Sequence, residues 1–294
     1  MSADFDIIAN MNTHRLPFAC AVAALAGCAT VREPAFDTLI AHRGESVDAP
    51  ENTLPDYKTA VERGFGFECD IYLSKDGRMF TFHDGNLRRT TNGACTNRCC
   101  DVSWADTVSK LNVGGWGKWK GSKFDGTRPA LLEEVLELAR DGRQIYVEVK
   151  AGPECVPYIR DVFAKQTKAH PGNALFICFN QEVCRMLKRS MPEYKVYWLT
   201  CARYGWGEKY PIVSAREIVW TLKDLGVDGV DIQFDPAVHT PEFVKEIHDA
   251  GYEFHVWTVD DPKKAKRAFA VGADSVTTNR AKFIRDTCEE EKTK

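Results

Sequence analysis

Residues 65–84 read FGFECDIYLSKDGRMFTFHD, and their pattern decides the architecture. Phe65 to Leu73 is an aromatic and aliphatic run, Ser74-Lys75-Asp76-Gly77 is a turn signal, and Arg78 to Asp84 is a second apolar run. So short a turn joins antiparallel strands, because parallel neighbours need a crossover of about a dozen residues or more. The second run is therefore a hairpin return hung on the first.

Outward from that hairpin, seven further runs have strand character: residues 38–42 (TLIAH), 144–150 (QIYVEVK), 174–180 (ALFICFN), 195–200 (KVYWLT), 227–234 (VDGVDIQF), 252–259 (YEFHVWTV) and 274–279 (DSVTTN). Helical patterns lie between them, several closing at glycine: 131–142 (LLEEVLELARDG), 240–251 (TPEFVKEIHDAG) and 262–273 (PKKAKRAFAVGA). Thr53-Leu54-Pro55-Asp56 reads as a capping box opening a helix that stops at Gly64. Eight such units in roughly 250 residues is the length of an α/β TIM-type (β/α)8 barrel. The aperiodic stretch 85–129, rich in Gly, Trp and Lys, exceeds an ordinary connection and is expected as an insertion over the barrel mouth.

Composition agrees with one large domain, with 294 residues, 44% hydrophobic and 28% charged. Thirty-nine basic against 42 acidic side chains leave a net charge of −3, which offers no basic footprint for nucleic acid; the expected partners are small molecules. The first thirty residues differ from the rest. Arg15 precedes an apolar stretch, Leu16 to Ala26, too short to span a bilayer of about 30 Å, so residues 1–27 read as a signal peptide. Leu25-Ala26-Gly27-Cys28 resembles a bacterial lipobox, which makes Cys28 the acylated mature N-terminus and 28–36 a linker to the barrel at 37–294. Met11 is an alternative start, because the preceding decapeptide adds two acidic residues where positive charge is wanted. The address implied is the exported bacterial envelope, lipid-anchored to a membrane. Eleven cysteines suit an oxidising compartment, and a disulfide within Cys95, Cys99 and Cys100 is expected over a zinc site.

In a barrel the chemistry sits at the C-terminal ends of the strands. Those ends carry His42-Arg43, Glu68-Cys69-Asp70, His83-Asp84 and Glu148-Val149-Lys150. Residues two apart on a strand face one way, so Glu68 with Asp70, and Glu148 with Lys150, point into the barrel. Three converging carboxylates call for one hard divalent cation, Mg²⁺ or Ca²⁺, with Arg43 and Lys150 as the competing neutralisers. His42 and His83 are the candidate acid and base, while His255, deeper in its strand than Trp257, reads as core.

These residues, with Pro50-Glu51-Asn52-Thr53, residues 87–92 (LRRTTN), 132–136 (LEEVL), Trp257-Thr258-Val259 and Thr278-Asn279-Arg280, resemble the glycerophosphodiester phosphodiesterase family over about 39–280. The resemblance implies Glu68, Asp70 and Glu148 as metal ligands, and His42 and His83 as catalytic acid and base. It implies Arg43 and Lys150 as phosphate contacts, with Trp257 as a wall for the glycerol carbons. The activity implied is hydrolysis of diesters such as glycerophosphocholine or glycerophosphoethanolamine to glycerol 3-phosphate and an alcohol. Cys178, Asn180 and Asp260 depart from the family pattern. Two rivals stand beside this reading. One is a lysophospholipase D or phospholipase C-like enzyme, kept open by Trp104, Trp116 and Trp119; the other is a non-catalytic binding lipoprotein.

The N-terminal reading is checked by metabolic labelling. The chain is expected to incorporate fatty acid and sediment with membranes, whereas Cys28→Ser stays unlipidated; unprocessed protein in the bacterial cytosol would overturn it.

Overall fold

The computed structural model describes residues 38–203 and 211–292. The strands are β1 (Leu39–Ala41), β2 (Gly66–Leu73), β3 (Met79–Thr81), β4 (Ile145–Val149), β5 (Ala174–Cys178), β6 (Val196–Thr200), β7 (Gly229–Gln233), β8 (Glu253–Trp257) and β9 (Ser275–Thr278). All but β3 are parallel, and β1 pairs with both β2 and β9, so the sheet closes into a ring. β3 lies antiparallel on β2, with Tyr72 opposite Phe80. Its turn is held by Ser74 N–H donating to the Arg78 carbonyl and by Gly77 at φ 77°. The helices α1 (Leu54–Glu62), α2 (Leu132–Leu136), α3 (Val156–Phe163), α4 (Gln181–Ser190), α5 (Ala215–Leu225), α6 (Pro241–Asp249), α7 (Pro262–Val271) and α8 (Ala281–Lys292) alternate with the ring strands. This is the (β/α)8 barrel expected. Among the described residues no helix is long and apolar enough to cross a membrane. The signal peptide, Cys28 and the linker lie outside the described residues.

Strand alternation sorts the side chains. Phe67, Cys69 and Ile71 of β2 and Ile145, Val147 and Val149 of β4 belong to the large core between sheet and helices. Their neighbours Glu68, Asp70, Tyr146 and Glu148 turn inward. Inside the ring, Ile40, Tyr146, Leu175, Ile177, Tyr197 and Leu199 form a second apolar cluster. His255 belongs there: it stacks on Tyr197 at 4.1 Å and bonds Ser275 Oγ at 2.8 Å.

Residues 85–129 carry a core of their own, in which Leu87, Cys95, Cys99, Trp104, Val108 and Val113 pack on Phe80 and Phe82 of the hairpin. Asp76, in the hairpin turn, clamps this segment by accepting from Trp104 N–H at 2.7 Å and Ser103 Oγ at 2.8 Å.

Two expectations are corrected. Thr53 is the N-cap of α1, but its hydroxyl donates to the Pro50 carbonyl at 2.7 Å instead of capping, and Asp56 is buried without a hydrogen-bond partner for its carboxyl. No capping box forms, because the preceding turn claims the hydroxyl. The cysteine staple is absent as well: Cys95, Cys99 and Cys100 are free thiols. Cys99 Sγ donates to the Asp84 carbonyl at 3.3 Å, Cys95 Sγ lies 3.5 Å from Asn97 Oδ1, and Cys100 faces solvent beside Asp101. Apolar packing fixes the loop without a cross-link.

Thiol labelling checks this. In the native protein Cys100 is expected to react quickly and the buried Cys95 and Cys99 only on unfolding, with or without reductant. A reductant-dependent mass change in the 95–100 peptide would restore the disulfide.

Candidate active site

Parallel pairing sets Asp70 of β2 directly beside Glu148 of β4, and Glu68 precedes Asp70 on the same inward face. One oxygen from each of Glu68, Asp70 and Glu148 lies within 4.8 Å of the others, and all three are buried. Burial, then the charges of Asp70 and Glu148, push the Glu68 carboxyl well above its ordinary range. Burial and Asp70 push Glu148 up to about 7. Burial acts against Asp70 too, but Lys150 and Arg43 hold it below the usual carboxylate value. Glu68 Oε1 is buried and has no hydrogen-bond partner. A buried all-oxygen set with an orphaned acceptor fits a hard divalent cation.

The cations expected to neutralise this cluster are present and do so only in part. Lys150 Nζ stands 2.9 Å from Glu148 Oε1 and 3.4 Å from Asp70 Oδ1. Arg43 takes a left-handed backbone, φ 58°, which turns its N–H onto Glu68 Oε2 at 2.8 Å. Its guanidinium lies between Glu51, 3.0 Å away, and Asp70, 3.6 Å away. Gly44 follows at φ 95°, and a Cβ there would sit 2.4 Å from Asp56 Oδ2, so the turn after β1 needs glycine for both reasons.

His42 leaves β1 with its N–H on the Thr278 carbonyl, and its Nδ1 lies 2.7 Å from Asn279 Oδ1. The Asn279 amide is oriented by Asp260, which accepts its Nδ2 at 2.8 Å and its backbone N–H at 2.8 Å. The oxygen therefore faces His42, so Nδ1 carries the proton and Nε2 the lone pair. Burial, with Arg43 second, pushes this imidazole down to about 4. His83 Nδ1 lies 2.8 Å from Asp84 Oδ1. Burial opposes the Asp84 charge, but Arg89 and His83 hold that carboxyl down to about 2.

A cavity of about 370 Å³ opens on these groups; His42, Arg43, Glu68, His83, Glu148 and Lys150 line one side. Ile177, Phe179, Leu199 and Trp257 form an apolar wall. Trp257 is fixed by Nε1 donating to the Asp231 carbonyl at 3.0 Å and by the edge-on ring of Phe179 at 5.6 Å. No residue of the 85–129 insertion lines this cavity. Trp104 is packed near Phe80, Trp116 lies under Arg89, and Trp119 meets Phe124 edge-on.

Residues 42–282 match the model of the glycerophosphoryl diester phosphodiesterase family. The chain belongs to that family. A glycerophosphodiester phosphodiesterase of Caldanaerobacter subterraneus subsp. tengcongensis is 30% identical over 82% of this chain and 93% of its own length. One from Bacillus subtilis is 26% identical over 82% of each. An Oleispira antarctica phosphodiesterase, solved with the product sn-glycerol-3-phosphate, superposes with TM-score 0.70 at 25% identity, covering 86% of this chain and 96% of its own.

The phosphodiesterase holds its site with residues to which sequence reading gave no role. Asn52, at φ 57°, donates Nδ2 to Asp70 Oδ2 at 2.7 Å and accepts the Asp70 N–H at 3.0 Å. Glu51 joins Arg43 to Arg89, whose other partner is Asp84 behind His83. Both Glu51 and Asn52 belong to a quoted motif, so the signal was there without its meaning. The departures from the family pattern acquire structural roles. Asn180 caps α4 by accepting Glu182 N–H at 2.9 Å, and Asp260 orients Asn279.

Loss of a group that orients a metal ligand costs about 10- to 100-fold in affinity. Calorimetric titration with Mg²⁺ and Ca²⁺ is expected to show such a loss in Asn52→Ala, with Asp70→Asn weaker than wild type and the circular dichroism spectrum kept. Undiminished affinity in both would show that these carboxylates hold no ion.

Proposed function

We propose that this phosphodiesterase hydrolyses small glycerophosphodiesters, such as glycerophosphocholine or glycerophosphoethanolamine, to glycerol 3-phosphate and an alcohol. One divalent cation, Mg²⁺ or Ca²⁺, and two histidines would serve it. The observation that carries the reading is the convergence of two differently backed imidazoles and the Glu68 and Glu148 carboxylates on one cavity about 370 Å³ in volume, with the buried Asp70 carboxylate beside them. Binding alone requires neither acid nor base. Membership of the family and the product held by the Oleispira relative support the same chemistry.

The ion, held by Glu68, Asp70 and Glu148, would supply Lewis-acid stabilisation of the phosphoryl oxygens. The chain's own groups do the rest. Arg43, tethered by Glu51, and Lys150 face the cavity as phosphate contacts, Arg43 with a fork suited to two oxygens. Trp257 walls the glycerol carbons. His42, with its proton fixed on Nδ1 by Asn279, offers Nε2 as the base that takes a proton from the nucleophile. Burial lowers the His83 imidazole while the Asp84 carboxylate on Nδ1 opposes that shift, and His83 carries a second proton that it donates from Nε2 to the departing alkoxide. We further propose that the enzyme works at the bacterial envelope, anchored through Cys28, for which Leu25-Ala26-Gly27-Cys28 is the support.

Both His42→Ala and His83→Ala are expected to lower turnover of glycerophosphocholine by about 10²- to 10⁴-fold. With a glycerol phosphodiester whose leaving group is nitrophenolate, which needs no proton on departure, His83→Ala should recover most of its loss and His42→Ala little. The reverse pattern would exchange the two roles, and near-normal rates in both variants would sink the reading.

A further inference from the structure

The cavity is uneven in how it treats polar groups. On the phosphate side every polar residue is paired or belongs to the carboxylate cluster. Within the apolar half two are not. Asp231 of β7 is 0% exposed, Thr277 of β9 is 2% exposed, and neither the Asp231 carboxyl oxygens nor Thr277 Oγ1 has a hydrogen-bond partner. Both residues line the cavity beside Ile177, Leu199 and Trp257. The backbone carbonyl of Asp231, not its side chain, receives Trp257 Nε1.

Neighbouring polar groups inside the ring find partners. Deeper in the ring, Tyr146 OH meets Ser275 Oγ at 3.0 Å and His255 Nδ1 meets the same oxygen at 2.8 Å. An apolar residue at 231 would pack against Leu199, its partner in the β6–β7 register, without the desolvation cost that an unpaired carboxyl carries. A buried group left unsatisfied where a ligand enters is a group that the ligand satisfies.

We infer that Asp231, together with Thr277, is a hydroxyl-reading floor that selects the glycerol moiety. The inference rests on the proposed function and adds the specificity determinant to it. Ionised or not, a carboxyl keeps an acceptor oxygen, and glycerol bound through its phosphate presents two hydroxyl donors on a three-carbon chain. Trp257 covers the carbons while Asp231 and Thr277 take the hydroxyls. A quaternary ammonium head group has no N–H to give and would leave all three oxygens unpaired.

The test is calorimetric binding of sn-glycerol 3-phosphate, n-propyl phosphate and phosphoethanolamine to the Mg²⁺-loaded protein and to Asp231→Val, Asp231→Asn and Thr277→Val. Propyl phosphate keeps the chain and the phosphate and lacks both hydroxyls. Leaving a buried acceptor without its hydrogen bond costs about a factor of ten in affinity, so wild type is expected to prefer glycerol 3-phosphate over propyl phosphate by about tenfold. In Asp231→Val that ratio falls to near one while propyl phosphate binds as before. Asp231→Asn and Thr277→Val fall between. Because the carboxyl has no partner in the fold, Asp231→Val is expected to melt no lower than wild type; a lower melting temperature with an unchanged ratio would assign Asp231 a structural role instead. Equal binding of the two phosphates to wild type overturns the floor and leaves the phosphodiesterase reading standing. Loss confined to phosphoethanolamine makes Asp231 a cation subsite and likewise overturns it. Failure of every phosphate to bind wild type would take the functional reading down as well.

Discussion

Three buried carboxylates with oxygens within 4.8 Å of one another are the constraint around which the rest of this mouth is arranged. Like charges at that separation and depth repel strongly, and the register that sets Asp70 beside Glu148 leaves no means of spreading them. The structure answers with backbone as well as side chains. Arg43 and Asn52 both occupy the left-handed region, which costs a non-glycine residue of the order of 1 kcal/mol or more. That conformation lets one N–H reach Glu68 and one amide clasp Asp70. Strain in two short turns is the counterpart of charge in the strands.

The same constraint explains why the neutralising residues are themselves neutralised. Arg43 alternates with Glu51, Arg89 and Asp84 in a chain of opposite charges that ends at His83. Through it the acidic cluster and the outer histidine are parts of one network, and the insertion contributes to the site through Arg89. Such a network also limits how far either arginine can swing, so the Arg43 fork proposed for phosphate is held in place before substrate arrives.

How much of this was legible in the sequence follows from the range of each interaction. Period-two alternation is local, so the eight ring strands, the hairpin and the inward turn of Glu68, Asp70 and Glu148 were readable from short windows. Hydrogen bonds that join distant segments were not. His42 and Asn279 are separated by almost the whole barrel, and nothing near either shows that Asp260 sets the amide between them. Thr53 was misread because two acceptors compete for one hydroxyl, and composition does not rank them. The cysteines at 95–100 were misread because spacing reports proximity in the chain while pairing depends on where apolar packing sends each thiol. Asp231 escaped notice for another reason: on a strand its carboxyl reads like any polar residue, and only its lack of partners in three dimensions distinguishes it.

The seam between β1 and β9 has a temporal meaning. By residue 150 a growing chain contains both histidines, all three carboxylates, Arg43 and Lys150. The hydrogen bond that fixes the tautomer of His42 arrives only with Asn279, the residue after the strand that shuts the ring. Ring closure and the orientation of the His42 imidazole are thus one event. A seven-stranded intermediate, or a chain cut before its last strand, would carry nearly every reactive group of the enzyme and yet hold its imidazole in no defined protonation geometry. Unfinished copies lack the contact that orients His42.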